Sequence, residues 1–263
     1  MLRSMYSGIS GMKGFQTKLD VIGNNISNVN TFGYKKGRVT FKDMVSQQIS
    51  GATGPGTIGG TNPKQVGLGT QISTIDTIHT QGSLQTTARP LDLGISGDGF
   101  FVLKKGTETL YTRSGNFYLD KDGSIVNGDG YYLQGGTNTA NPQQIKIGTA
   151  AQSFSIGADG SISVVGDTAT NAPILLAKFP NPDGLQKAGQ NNFIETANSG
   201  EPDLNNPGVG GNGTLVAGAL EMSNVDLSEE FTEMIVAQRG FQANTRIITT
   251  SDEILQELVN LKR

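Results

Sequence analysis

At 263 residues the chain is long enough for two domains, or for one large β domain with helices. A net charge of −3 exerts no bulk pull toward nucleic acid or an anionic membrane. The absence of cysteine excludes disulfides and thiolate chemistry, a single histidine excludes multi-histidine zinc sites, and no apolar run approaches membrane-spanning length.

In chain order, the first segment reads as an amphipathic helix. Met5, Met12, Leu19 and Ile26 recur at sevens, with Leu2, Ile9, Phe15, Ile22 and Val29 beside them. Gly8, Gly11 and Gly14 weaken it by about 1 kcal/mol each relative to alanine, so it needs a neighbour. Its opening residues, Met1-Leu2-Arg3-Ser4, lack the apolar core and small-residue cleavage site of a secretory signal. A turn-rich break follows from Ser27 to Tyr34, then a β-leaning stretch from Tyr34 to Phe41 and a helical turn toward Ile49. Gly51 to Gly60 reads as a flexible loop continuing to about Lys64.

From Val66 to about Phe193 the pattern is β: short apolar runs punctuated by Gly and Asp-Gly, which suggests a barrel or sandwich-like domain. Phe117–Ile125 and Phe154–Ile162 share the pattern F-x-[L/I]-x-x-D-G-S-I. In both, Asp-Gly supplies the positive backbone angle of a tight hairpin turn. Asn198 to Asn212 is rich in Asn, Pro and Gly and reads as a linker.

The last forty residues carry the strongest pattern. Leu220, Leu227, Met234, Phe241, Ile248 and Leu255 form one column at strict sevens, the signature of a coiled-coil seam. Asp226 with Glu229 reads as a helix start, and Lys262 and Arg263 place positive charge at the carbonyl end. A helix lying on its own domain's core fits this pattern. Its length, strict heptad and terminal position favour a partner helix, and the first segment supplies one, within a chain or between chains.

The expected class is therefore α+β. The boundaries are 1–30 for an N-terminal helix, 31–70 for an extended connector, 71–197 for a central, mainly antiparallel β domain, 198–219 for a linker and 220–263 for a C-terminal helix. The helices pair as an α-helical coiled-coil domain. The candidate subunit-interface residues are Met5, Ile9, Met12, Leu19, Ile26, Leu227, Met234, Phe241, Ile248 and Leu255.

Enzymatic motifs are weak. Gly208–Gly213 fits G-x-G-x-x-G, but Asn205-Asn206-Pro207 precedes it where a dinucleotide site needs a strand. Asp120–Gly123 lacks the later glycine and glutamate of a calcium loop and is better read as a hairpin turn. His79 is the only histidine and reads as a surface or strand residue. No catalytic constellation, cofactor site or metal site emerges.

Three long segments carry a resemblance. Leu19-Asp20-Val21-Ile22-Gly23-Asn24-Asn25-Ile26-Ser27-Asn28-Val29-Asn30-Thr31-Phe32-Gly33-Tyr34-Lys35 is similar to the amino-terminal signature of the bacterial flagellar axial (rod and hook) proteins, with Asn24, Asn25, Asn28, Thr31 and Gly33 on motif positions. Leu91–Phe101 with Tyr111–Phe117 resembles that family's core β domain, and Leu220–Leu227 through Met234–Arg239 resembles its carboxy-terminal motif.

The resemblance implies a structural, non-enzymatic subunit that polymerises with itself into a helical tube. It would contact other rod and hook proteins, cap and junction proteins and the type III export apparatus, and bind neither nucleic acid nor a small-molecule substrate. It would reside in the flagellum, in hook or basal body, exported without a cleaved signal. The wording VDLSEEFTEMIVAQRGFQ and VGLG resembles the short hook protein of Gram-positive bacteria, whose tube would transmit motor torque to the filament. The length and the Gln47–Lys64 loop point to the straight distal rod as the alternative. A secreted ligand-binding β protein is the reading from a different class.

Overall fold

The computed structural model describes residues 2–54, 59–136, 142–148, 153–166 and 172–261. The expected terminal charges Lys262 and Arg263, and part of the Gly51–Gly60 loop, lie outside these. The chain divides into two compact units. One holds residues 1–27, 37–77 and 226–263; the other holds 28–36 and 78–225.

The helical unit pairs α1 (Leu2–Ser27) with α2 (Leu227–Leu261), as the apolar columns at both ends predict. α2 begins where Asp226 caps it: its Oδ1 accepts from Ser228 N at 2.8 Å, and its carbonyl accepts the first helical bond, from Glu230 N at 3.0 Å. Leu220, counted in the heptad, belongs instead to a strand. Its spacing fits the repeat, but strand pairing claims it first.

Of the segment expected as an extended connector, 31–70, the part from residue 37 onward belongs to this unit. β1 (Gly37–Asp43) and β4 (Thr70–Thr77) form an antiparallel ladder, with a register shift between Thr40 and Phe41. Between them β2 (Gln47–Ser50) and β3 (Lys64–Val66) pair as a second ribbon, so the stretch toward Ile49 is a strand and not a helical turn. The second ribbon is exposed along both strands.

In the other unit β5 (Leu84–Thr86), β6 (Leu93–Ser96), β7 (Phe100–Lys105), β8 (Glu108–Thr112), β9 (Phe117–Leu119), β10 (Ile125–Asn127) and β11 (Tyr132–Gly135) come first. They are followed by β12 (Gln143–Gln144), β13 (Ser153–Ile156), β14 (Ile162–Val165), β15 (Leu176–Lys178), β16 (Gln186–Gly189) and β17 (Asn192–Ile194). Residues 198–219, expected as a linker, carry β18 (Asp203–Asn205) and β19 (Thr214–Ala217), and β20 (Ala219–Glu221) follows. β19 pairs with β6 and β20 with β5, so the segment closes the β unit.

The main sheet runs β16-β17-β8-β7-β11-β10-β9, with every pairing antiparallel. β7 is central because both its faces are buried. Phe101 and Leu103 enter one apolar cluster with Phe117, Ile125 and Leu176, while Phe100 and Val102 enter another with Tyr111, Phe179 and Phe193. A strand covered on both sides needs a continuous apolar run, which Phe100-Phe101-Val102-Leu103 provides.

Both Asp-Gly hairpins form as the repeated pattern predicts. β9 pairs with β10 and β13 with β14, with Gly123 at φ +76° and Gly160 at φ +79°. A Cβ on Gly123 would lie 1.9 Å from the Ile147 carbonyl oxygen, so glycine is required there for space as well as for backbone angle.

Candidate assembly surfaces and motif sites

The seam of the helical unit is built from polar and small residues as much as from large apolar ones. Along α2 the covered positions are Gly240 and a series alternating by four and three: Glu230, Met234, Ala237, Phe241, Asn244, Ile248, Ser251 and Leu255. Four of these belong to the predicted column; the other half of the seam is Glu, Ala, Asn and Ser. α1 answers with glycine. A Cβ on Gly8 would touch Ile248 at 3.4 Å, and one on Gly11 would press the Asn244 amide at 2.8 Å. Gly14 lies under the Phe41 ring of β1 at 2.9 Å, measured the same way, and Gly240 of α2 lies under the Phe15 ring at 2.6 Å. The glycines that weaken α1 as an isolated helix are the places where neighbours come closest.

The ten candidate interface residues all lie on the two paired helices. Met5, Ile9, Met12, Leu19, Ile26, Met234, Phe241, Ile248 and Leu255 are half-buried, and Leu227 is exposed. A different set is left open on α2: Phe231, Ile235, Val236, Ile247, Ile254 and Leu258.

The amino-terminal motif serves both units. Asn25 is buried in the helical unit, where its amide bonds both backbone groups of Gly37, accepting from N at 3.0 Å and donating to O at 2.9 Å. It also donates to the buried Glu230 carboxylate of α2 at 3.1 Å. One side chain thereby joins α1, the start of β1 and α2. Asn24 is exposed on α1.

Asn28, Thr31 and Gly33 lie in the β unit. Thr31 donates to the Asn28 side chain at 3.1 Å, shaping the turn. Gly33 has φ +69° and donates to the Glu221 carbonyl at 2.8 Å; a Cβ there would lie 2.6 Å from Ser114 N.

Beside Gly33 lies a buried charge cluster that sequence patterning does not flag. The Lys35 ammonium bonds Glu221 Oε1 at 2.6 Å and the Thr80 carbonyl at 2.8 Å, and both charged side chains are fully buried. Arg113 reaches Glu221 Oε2 at 3.2 Å and the Gly97 carbonyl at 2.9 Å. Gly82 N adds a 2.9 Å bond to Oε1. Burial pulls the Lys35 and Arg113 pKa values below their ordinary ranges, against the opposing pull of Glu221. Lys35, Arg113 and Glu221 come from the three segments that carry the resemblance, so the cluster is where those segments meet. The available signal was a charge of each sign inside otherwise apolar or glycine-rich wording.

His79, expected at the surface or in a strand, is half-buried and lies two residues beyond β4. It packs against Phe100 and Phe193, with centroid separations of 5.7 and 5.5 Å, and its buried Nδ1 has no hydrogen-bond partner among the described residues. Burial, reinforced by Lys35, Arg113 and Lys187, lowers its pKa to about 4. The Gly208–Gly213 run is the turn between β18 and β19 and leads into a strand, not into the helix a dinucleotide site requires.

Comparison with known proteins agrees with the three segments. Residues 5–35 match the family described as flagella basal body rod protein, 94–164 the flagellar hook protein FlgE/F/G D1 domain, and 216–261 the flagellar basal body rod FlgEFG protein C-terminal region. The chain is 62% identical to the flagellar basal-body rod protein FlgG of Bacillus subtilis over 271 residues, covering all of both chains. It is 41% identical to the FlgG of Borreliella burgdorferi over 272 residues, again covering both chains. The flagellar hook protein FlgE of Borreliella burgdorferi is 33% identical over an alignment of 441 residues.

Proposed function

We propose that this chain, which belongs to the family of bacterial flagellar basal-body rod and hook proteins, is a subunit of the rod. The observation that carries this reading is the end-to-end match at 62% identity to a rod protein of nearly equal length. The hook protein aligns only across 441 positions, far more than the chain's 263 residues, so it contains sequence with no counterpart here. The hook expectation drawn from the wording of α2 therefore gives way to its alternative. That wording is common to both kinds of subunit, and it sits on the helix pair, which does not distinguish a straight tube from a curved one.

The mechanism is mechanical. Identical subunits with unlike surfaces join head to tail and, where the rotation does not close, extend as a helical tube. Neighbouring copies cover the open apolar stripe of α2, and the exposed β2–β3 ribbon packs on an adjacent subunit. An isolated two-stranded ribbon is marginal in water, so it gains stability from such a contact. The subunit catalyses nothing; its work is to hold shape under torque.

Expression in Bacillus subtilis cells lacking their own FlgG tests the reading. Restored basal bodies carrying hooks, with this chain in the straight segment by electron microscopy, are expected. Incorporation into the curved hook, or rescue of cells lacking the hook protein instead, would overturn it.

A further inference from the structure

A polar cavity of about 550 Å³ lies in the β unit, where the Asn28–Phe32 loop meets the β10–β11 and β16–β17 turns. Its size is that of a small-ligand pocket, for which about 300–1,000 Å³ is usual. Much of its lining is carboxamide. Asn116 Nδ2, Gln190 Nε2, Asn192 Nδ2 and the Asn30 side chain have no hydrogen-bond partner among the described residues. Asn192 is only 3% exposed, so packing fixes its position; its Oδ1 is sealed away, which leaves Nδ2 to serve a ligand. Phe32 is the one aromatic residue of the lining. It is half-buried yet enters neither apolar cluster of the β unit, so the core does not account for its ring.

The turn at the rim carries strain. Gln190 and Asn191 join β16 to β17 with φ of +54° and +58°. Two-residue hairpins of this kind favour Asn-Gly, and glutamine carries a steric cost there. Its Oε1 accepts from the Tyr131 hydroxyl at 3.4 Å, which holds the amide at the rim with Nε2 left over. A side chain kept at a position better suited to glycine is a mark of a site in use.

These features select among ligands. Asp129 is the only charged residue in the lining and disfavours an anion, while a set of N–H donors offers little to a cation. An extended peptide needs an open strand edge for its main-chain bonds, whereas a loop and two turns meet here. An uncharged ring with polar edges and an apolar face suits both the amides and Phe32. Sugar hydroxyls donate and accept, and an acetamido carbonyl adds the acceptor that surplus N–H donors favour.

We propose that this cavity binds a neutral sugar bearing an acetamido group. The amides of Asn30, Asn116, Gln190 and Asn192 hold its polar edge, and its apolar face lies on the Phe32 ring. The site goes beyond the proposed function and stands whether the tube is rod or hook.

Titration of the full-length chain with chitotriose, a neutral oligomer of N-acetylglucosamine, tests this by NMR of backbone and side-chain amides. Saturable shifts are expected at Asn30–Phe32 and Gln190–Asn192 and at the side-chain amide of Asn116. Cellotriose, with hydroxyls in place of the acetamido groups, should bind about tenfold more weakly. Gln190→Gly relieves the strained turn and removes one amide. It should weaken chitotriose binding about fivefold at an unchanged or higher melting temperature. Phe32→Leu keeps an apolar side chain without the flat face and should also weaken binding about fivefold.

No saturable shifts at these amides, equal affinity for cellotriose, or unchanged affinity in both variants would overturn the proposal. Retention of the chain on insoluble chitin, with release by chitotriose, supports it and assigns the sugar to a polymer. Binding of chitotriose without such retention supports it and assigns the sugar to a free oligosaccharide.

Discussion

Lowering the pH should destabilise the β unit through His79, and the effect can be isolated because the chain has one histidine. In the fold its pKa is about 4, chiefly because burial between Phe100 and Phe193 disfavours the charged ring. In the unfolded chain it returns to about 6.5. Below that value the unfolded state takes up a proton that the native state refuses, so stability is intact above pH 6.5 and is lost as pH falls toward 4. The shift amounts to about 3 kcal/mol in full, of which about 2 kcal/mol is lost between pH 7.5 and 5. Urea unfolding of the monomeric chain, followed by tyrosine fluorescence across that range, measures it. His79→Phe keeps an aromatic ring in the slot and removes the proton site. Its stability should fall by about 2 kcal/mol less than that of the wild type between those two pH values. Identical pH dependence in both proteins would refute the reasoning and mean that His79 stays solvated.

Two further predictions concern the helical unit and the charge cluster. Gly23→Ala, with nothing within 4 Å of the added methyl, should stabilise by up to about 1 kcal/mol, whereas Gly240→Ala, pressed against the Phe15 ring, should destabilise despite the same gain in helix propensity. Thermal melts by circular dichroism that rank the two variants the other way would disprove the close-packed seam. Glu221→Gln leaves two buried cations without their carboxylate and should cost about 3–5 kcal/mol, while Lys35→Met keeps the Arg113 pair and should cost clearly less. Urea titration giving the reverse order would show that the cluster is not organised around Glu221.

What the sequence made legible follows from which interactions are local. The Asp226 cap, the Asp-Gly turns and the apolar heptad column depend on neighbours a few residues away, and each was readable. The second half of the α2 seam was not. Glu230, Ala237, Asn244 and Ser251 carry no apolar signal, and that Asn244 fits the seam follows only once Gly11 is known to lie against it. Pairings between distant segments were equally hidden. β1 finds β4 across the loop, and Thr214–Ala217 finds Leu93–Ser96 across most of the β unit. Composition therefore reported a connector and a linker where the fold has strands. The Lys35–Glu221–Arg113 cluster was not legible because each partner comes from another part of the chain.

The seam and flanks of α2 suggest how one helix serves both subunit and tube. Its seam is satisfied by α1 inside the chain, so the helix does not need a neighbour in order to pack. Beside that seam it keeps Phe231, Ile235, Val236, Ile247 and Ile254 at 44–59% exposure on its two flanks, and Leu258, which continues the seam spacing, at 49%. Full burial of such a side chain is worth about 1.5–3 kcal/mol, so covering the half still exposed yields about 1 kcal/mol each. Six of them give about 6 kcal/mol, near the low end of the roughly 4–15 kcal/mol of freedom lost on association. A single pairwise contact through this stripe is therefore weak. In a helical tube each subunit touches several neighbours, and the exposed β2–β3 ribbon adds contacts that the stripe alone lacks. On the proposed function, weak pairs and a strong lattice are what a rod subunit requires: it stays unassociated in solution and becomes fixed only where several neighbours already stand in place.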